Sequence, residues 1–281
     1  MPPIRNTEPM SMLSTPESDF QKRSGRVHGA AEYKSLVTAE GEMDGVIQHT
    51  SALIGRLRAV LELRPGAQIL ELGAGCGQQL IQLTVSGYLA VGLELSPEAI
   101  ATATKLAGRR GVSLRLIQSD VRHIPLREGS FDIVLAKSVL EHVPGVESVF
   151  REACRVLRVG GGFWFSTASA MCPRQNEIRG CPFFGWYPEN LKQRIMRWAL
   201  RERPDLIGNT RSPAVNWFTD RRARKLLFAA GFTHVLDRWD LRQSAEGGRA
   251  YRLLLRAARR YRVMRGIANA CIPECAYLAI K

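Results

Sequence analysis

Apolar positions along this chain alternate between two periods. Over residues 45–63 they recur at helical spacing, through Val46, Leu53, Leu57, Val60 and Leu61, until Arg64-Pro65-Gly66 stops the helix. Residues 68–72 form a short apolar run of strand length, followed by a glycine-rich loop. Helical spacing then returns over residues 77–85 through Leu80, Ile81 and Leu83. Residues 89–95, 112–118, 131–136 and 162–167 read as further strands. Between them, Ser96-Pro97-Glu98 opens a helix with a capping residue followed by proline in the first turn, and residues 146–157 form another. After Ser169 the rhythm breaks. Residues 170–217 carry Pro173, Pro182, Pro188, Pro204 and Pro213 among Cys, Trp, Phe and Arg, with one helix predicted around 189–201. Thr219 caps a predicted helix over 220–230, Gly231 ends it, and strands follow over 232–239 and 276–280. No internal repeat is visible.

Short apolar strands alternating with helices predict an α/β fold, a doubly wound and mostly parallel sheet covered on both faces. Seven strands are expected. The domain organisation that follows is a Pro-, Ser- and charge-rich flexible leader over residues 1–30 and one domain over 31–281. Residues 169–217 are an insertion after the fifth strand, with the position of a substrate cap. The leader lacks the continuous apolar core of a secretory signal, and no run reads as a membrane span.

Candidate chemistry concentrates at Glu71-Leu72-Gly73-Ala74-Gly75-Cys76-Gly77. A strand delivers an acid, the chain turns over three glycines, and a helix begins with free N–H groups. Dinucleotide enzymes use a similar strand–loop–helix, but with G-x-G-x-x-G spacing. Here the spacing is G-x-G-x-G. The acid at the loop's entrance suits a ligand with a cationic amino group and hydroxyls better than a pyrophosphate.

Over residues 45–168, and more loosely over 217–240 and the last strand, the chain resembles the class I S-adenosylmethionine-dependent methyltransferases. It lies nearest the subgroup acting on small molecules, quinones and lipids. Glu71 to Gly77 matches that family's acidic glycine loop, so the resemblance assigns Glu71, Gly73, Ala74, Gly75 and Gly77 to the cofactor. Gly92-Leu93-Glu94-Leu95-Ser96 matches the second-strand motif, which implies that Glu94, with Leu95 beside it, receives the ribose hydroxyls. Gln118-Ser119-Asp120-Val121 matches the adenine segment, Asp120 taking the exocyclic amine and the Val121 backbone pairing with the ring. Phe131-Asp132-Ile133-Val134 and Leu157-Arg158-Val159-Gly160-Gly161 complete the order. Lys137 joins the cofactor set at the end of the fourth strand, and Tyr33 is a candidate to fold over the cofactor.

Methyl transfer is a displacement on an already activated carbon, so alignment and exclusion of water supply much of the acceleration. A general base is required only when the acceptor must lose a proton. His142, in Lys137-Ser138-Val139-Leu140-Glu141-His142, is the candidate base, although Glu-His here is equally readable as structural. The Asn/Asp-Pro-Pro-Tyr/Phe motif used on base amines is absent from this position, which counts against DNA adenine methylation. A small-molecule or lipid-like acceptor is expected. A non-catalytic S-adenosylmethionine-binding scaffold and an RNA methyltransferase remain as alternatives. No metal-ligand spacing occurs, and six cysteines without a CxxC pair suggest reduced thiols in a cytoplasmic protein.

Charge changes the picture at one end of the chain. Residues 1–173 hold 18 Lys and Arg against 17 Asp and Glu, whereas residues 174–281 hold 22 against 9. Residues 249–265 read as one basic amphipathic helix. Arg249, Arg252, Arg256, Arg259 and Arg260 fall on one arc, opposite Tyr251, Leu254, Leu255, Ala258 and Tyr261. The helix over 189–201 similarly sets Arg194, Arg197 and Arg201 against Leu191, Ile195 and Trp198. Three readings stand: solvated surface helices, peripheral contact with an anionic membrane, and nucleic-acid backbone binding. The last lacks an RNA-binding module and an aromatic stacking platform. Residues 181–188, Cys-Pro-Phe-Phe-Gly-Trp-Tyr-Pro, are expected as an aromatic lid over the acceptor pocket.

Overall fold

Met43–Leu61 forms the first described helix (α1), burying Leu53, Ile54 and Leu57 along one stripe. This computed structural model describes residues 41–175, 178–207, 214–242 and 248–281. The leader and Tyr33 lie outside the described residues. Strand β1 (Gln68–Leu72) leads through the glycine loop to α2 (Gln78–Val85), β2 (Leu89–Glu94), α3 (Pro97–Arg109) and β3 (Arg115–Gln118). Then come β4 (Phe131–Lys137), a 3₁₀ turn at Leu140–His142, α4 (Glu147–Val156) and β5 (Leu157–Ala168). The C-terminal part holds α5 (Glu189–Glu202), α6 (Asp220–Ala229), β6 (His234–Asp237), α7 (Arg238–Leu241), α8 (Arg249–Arg260), α9 (Arg262–Ala270) and β7 (Glu274–Ile280).

The seven strands make one sheet in the order β3-β2-β1-β4-β5-β7-β6. All neighbouring pairs among β1–β5 are parallel, and β7 runs antiparallel to both β5 and β6. Alternation with period two sends neighbouring residues into two cores. Leu70, Leu72, Val134, Ala136, Phe163 and Phe165 pack with α4 and α6. Ile69, Ile133, Leu135 and Trp164 pack with α1 and α2 on the opposite face. Phe150 of α4 meets Phe163 and Phe165 edge-on at 5.9 and 5.4 Å. The expected doubly wound fold is therefore present, and the two helix caps at Ser96 and Thr219 accept from the Ala99 and Arg222 amides.

Several boundaries differ from the apolar pattern, each for a local reason. β3 starts at Arg115, because Val112 donates its amide to Ala107 at the end of α3 and packs near Leu106 and Ile81. β6 stops at Asp237, whose carboxylate accepts the Trp239 and Asp240 amides and starts α7 with a capping box. The single basic helix expected over 249–265 is two helices. Tyr261 is extended (φ −123°, ψ 116°), and the chain turns there. The turn returns Arg265 to the molecule: its guanidinium lies 2.6 Å from Asp240 and 3.3 Å from Asp237, and its Nε donates to Ala258. Arg259 likewise donates to the Trp239 and Arg242 carbonyls. These two arginines are structural.

The α5 face also differs. Lys192, Met196 and Ala199 point inward, while Leu191 and Trp198 are exposed. Lys192 is drawn in by the Trp217 ring, 4.1 Å from its Nζ, and by Glu189 at 3.1 Å. The described parts of the insertion enclose a small core of their own, with Ile178, Phe184, Met196, Ile207 and Trp217. Residues 176, 177 and 208–213 of it lie outside the described residues.

Candidate active site

β1 ends in a loop that needs positive φ at Gly73 (67°), Gly75 (54°) and Gly77 (75°). A Cβ on Gly73 would stand 2.6 Å from Val139 Cγ2, and one on Gly77 2.8 Å from Ala103 Cβ, so side chains are excluded by space as well as by conformation. Gly77 then caps α2. The Ala74 amide donates to the Leu93 carbonyl at 2.9 Å, and the Gly75 amide to Glu94 Oε2 at 2.8 Å. Glu94 Oε1 accepts the amides of Leu95 (2.8 Å) and Ser96 (2.9 Å). One carboxylate thus fastens the turn after β1 to the turn after β2, and its Oε2 keeps acceptor capacity for a hydroxyl.

Glu71 is buried, and burial pushes its carboxyl up to about 8. Lys137 opposes that rise and Glu94 adds to it. Its Oε2 has no hydrogen-bond partner among the described residues. A buried carboxyl oxygen left unsatisfied is costly. A ligand ammonium supplies both the charge and the N–H donors it lacks. The amino group of S-adenosylmethionine fits that requirement, and the side-chain-free glycine turn leaves the backbone open to close approach.

Asp120, after β3, has a partner the sequence did not indicate. Arg122 donates its amide and guanidinium to it, with an ion pair at 2.8 Å. Burial pushes the Asp120 carboxyl up, but the Arg122 hydrogen bonds outweigh it and hold the group below the usual carboxylate range. An adenine amine at Asp120 would share those oxygens with Arg122. Val121 is buried beneath, and the Ser119 amide ties this loop to the Glu94 carbonyl at 3.1 Å. Glu71, Glu94 and Asp120 therefore follow one another past the carboxyl ends of adjacent strands, where open α/β sheets take their ligands.

On the other side of β1, β4 ends at Lys137, which is exposed and also acts on Glu71 electrostatically. Ser138 turns the chain at φ 53°, its amide on the Ser166 carbonyl. A cavity of about 1110 Å³ opens there, walled by Lys137, Ser138, Glu141 and His142, by Arg174 and Arg179 of the insertion, and by Cys271 and Glu274 before and at the start of β7. His142 is half-buried in this wall.

Of the lid expected over 181–188, the aromatic residues are not part of that wall. Phe184 is buried in the insertion's own core, 5.5 Å from Trp217, while Phe183 and Trp186 face solvent against each other at 5.1 Å. Phe183 is held in the left-handed region (φ 58°) with its amide on Pro173, and Gly185 sits against the Ala170 backbone; together these turn the aromatics away. Cys181 and Pro182 line the cavity in their place.

Three positioning residues were not anticipated. Thr167 donates to Glu141 Oε2 at 2.8 Å. Asn216 donates to the Leu140 and Val143 carbonyls at 2.9 and 2.7 Å, and the Val215 amide to the Glu141 carbonyl. These bonds anchor the His142 turn to residues far away in sequence, so no local motif signals them. All six cysteines are free thiols, and no cluster of metal-ligating side chains occurs among the described residues.

The seven-stranded sheet and the acid-lined glycine loop have the arrangement expected from the resemblance to class I S-adenosylmethionine-dependent methyltransferases. Residues 70–165 match the family model described as "Methyltransferase domain". It is 34% identical over 115 residues to the 27-O-demethylrifamycin SV methyltransferase of Amycolatopsis mediterranei, covering 40% of this chain and 42% of that protein. It is 33% identical over 116 residues to the ubiquinone biosynthesis O-methyltransferase of Vibrio parahaemolyticus, covering 40% and 49%. The chain thus spans less than half the length of these curated relatives. Its fold is similar to that of the YcgJ protein from Bacillus subtilis, with TM-score 0.53 and 18% identity over 83% of this chain and 98% of that one.

Proposed function

We propose that this protein transfers the methyl group of S-adenosylmethionine to a small-molecule or lipid-like acceptor bound in the cavity beside β4. The single observation that carries this reading is the contiguity of two sites. The orphaned Glu71 carboxyl and the cavity meet at Lys137, so a donor on the glycine loop and an acceptor under the insertion would face each other. Relatives named for rifamycin and ubiquinone methylation support an acceptor of this kind.

S-adenosylmethionine, when bound, supplies an electrophilic methyl carbon on a positively charged sulfur. Glu71 would hold the ammonium, Glu94 the ribose hydroxyls, and the Asp120–Val121 segment the adenine. With the donor held there, an acceptor in the cavity would take the methyl group by displacement, its lone pair replacing the carbon–sulfur bond whose electrons would stay on sulfur. Lys137, Ser138 and His142 would border its path. The protein's work is positioning and exclusion of water by the insertion, which acts as a substrate cap. His142, on the cavity wall, receives a proton where the acceptor is a hydroxyl or protonated amine. Fractionated cell extract incubated with protein and methyl-labelled S-adenosylmethionine tests the reading: label is expected in the small-molecule or lipid fraction. Label in RNA alone, or cofactor binding with no label in any fraction, would overturn it in favour of an RNA methyltransferase or a scaffold.

A further inference from the structure

The α8–α9 pair packs Leu255, Ala258 and Ala268 on Trp239, yet leaves other large apolar side chains outside. α9 directs two polar side chains inward: Arg265 onto Asp240 and Asp237, and Asn269 onto the Trp239 indole nitrogen at 2.7 Å. Its apolar side chains, Val263 and Ile267, point outward at one i, i+4 spacing, 75% and 56% exposed. On α8, Leu255 and Ala258 are buried, while Leu253 stands outward at 63% exposure. Around these apolar residues lie Arg249, Arg256, Arg260 and Arg262, all exposed and none with a carboxylate partner among the described residues. A fully solvated helix face would carry polar side chains at Leu253, Val263 and Ile267.

We propose that this face docks onto a bilayer surface bearing anionic lipid headgroups, with Val263, Ile267 and Leu253 inserted and the arginines at headgroup level. Three features select that occupant. Apolar side chains in the centre with cations around them match an interfacial helix, which buries its apolar face and keeps its charges among the headgroups. Nucleic acid would call for the reverse, with cations central and aromatic platforms for the bases. A second copy of the chain would bring like-charged arginines together across a symmetric interface, on a protein already carrying a net charge of +14.

The face also adjoins the cavity. α9 ends at Ala270, and the next residue, Cys271, is part of the cavity wall. Pro182 also lines the wall, and the residues after it include exposed Phe183 and Trp186, the latter 60% exposed. Docking would turn the cavity towards the bilayer, so an acceptor could pass from lipid to site without crossing water. Docking itself does not depend on the methyl-transfer reading, since it is measured without cofactor.

The experiment is cosedimentation of the full chain with phosphatidylcholine–phosphatidylglycerol vesicles, with pure phosphatidylcholine vesicles as reference. Binding is expected to the anionic vesicles only, and to weaken as salt is raised. The Val263→Ser/Ile267→Ser double variant should partition roughly tenfold less, since two inserted side chains are lost. Leu253→Ser serves as a second variant should the double one fail to fold. Absence of binding to anionic vesicles, or equal binding by the apolar variants and wild type, would overturn the proposal. A stable dimer dissolved by Val263→Ser/Ile267→Ser, or retention on RNA without vesicle binding, would reassign the face and overturn it equally.

Discussion

The carboxyl edge of the sheet is built by two different means on either side of β1. Over β1–β3 the site is assembled from short-range parts: three glycines in five residues, an acid at each strand end, and backbone amides that close on Glu94. Over β4, β5 and β7 it is assembled from distant ones. Thr167, Arg174 and Glu274 reach the cavity from separate parts of the chain, and Asn216 anchors its His142 turn. The first half depends on conformations that few residues can adopt, and the second on contacts that many residues could replace. Substitutions in the loop should therefore act abruptly, and substitutions in the cavity gradually.

The largest effect is expected from Gly73→Val. The new side chain would meet Val139 and be held at φ 67°, so binding of S-adenosylmethionine by calorimetry should fall by roughly a hundredfold or more, with about 2–4 kcal/mol lost in denaturant unfolding. A variant that binds as wild type would remove the loop from the site. Glu94→Ala comes next, because it leaves the amides of Gly75, Leu95 and Ser96 without their acceptor. Affinity should fall by roughly tenfold, with about 1–3 kcal/mol of stability lost. Calorimetry and unfolding of Glu94→Gln, which keeps one acceptor oxygen, should give intermediate values.

Glu71 separates binding from stability. Its carboxyl stands near 8 in the folded protein, raised from an ordinary value near 4.5 chiefly by burial. Between those limits the folded state holds a proton that the unfolded state releases, so stability should fall as pH rises from about 4.5 to 8. Glu71→Gln should flatten that slope and be the more stable protein at pH 8. Cofactor binding should move the other way. An ammonium needs the carboxylate, so wild-type affinity should increase up to about pH 8, while Glu71→Gln binds weakly with no such rise. Parallel pH profiles in the two proteins would place the ammonium elsewhere.

The same contrast explains what could be read before the structure. Seven strands, the caps at Ser96 and Thr219 and the loop from Glu71 to Gly77 all lie in local patterns, whether period-two alternation or residues with few permitted conformations. The apolar pattern failed where a distant partner decided the geometry. A continuous helix over 249–265 was broken at Tyr261 by the pull of Asp237 and Asp240 on Arg265. The apolar pattern groups Trp198 with Leu191 and Ile195 opposite the α5 arginines, but Lys192 takes the inward place because Trp217 and Glu189 receive its charge. The aromatic run turned outward because Phe183 and Gly185 fit only one path past Pro173 and Ala170. Arg122 lies two residues from Asp120, yet nothing in the motif shows that its guanidinium folds back on that carboxylate.

The smallest expected effect sharpens the comparison most, because it predicts near-silence on one side of β1. Arg174 lies on the cavity wall, within the insertion, and has no ion-pair partner among the described residues. Its removal orphans no carboxylate and touches no part of the glycine loop. Arg174→Ala should therefore leave unfolding and S-adenosylmethionine affinity within about twofold of wild type. If the insertion covers the acceptor, the KM for the labelled acceptor should rise several-fold with little change in kcat, the pattern of lost uniform binding. A loss of cofactor affinity equal to the loss of acceptor affinity would mean that the two halves are one coupled site, and the division at β1 would fail. A change in neither would detach the insertion from the acceptor and leave the β4 end, at Lys137 and His142, as the whole of the transfer site.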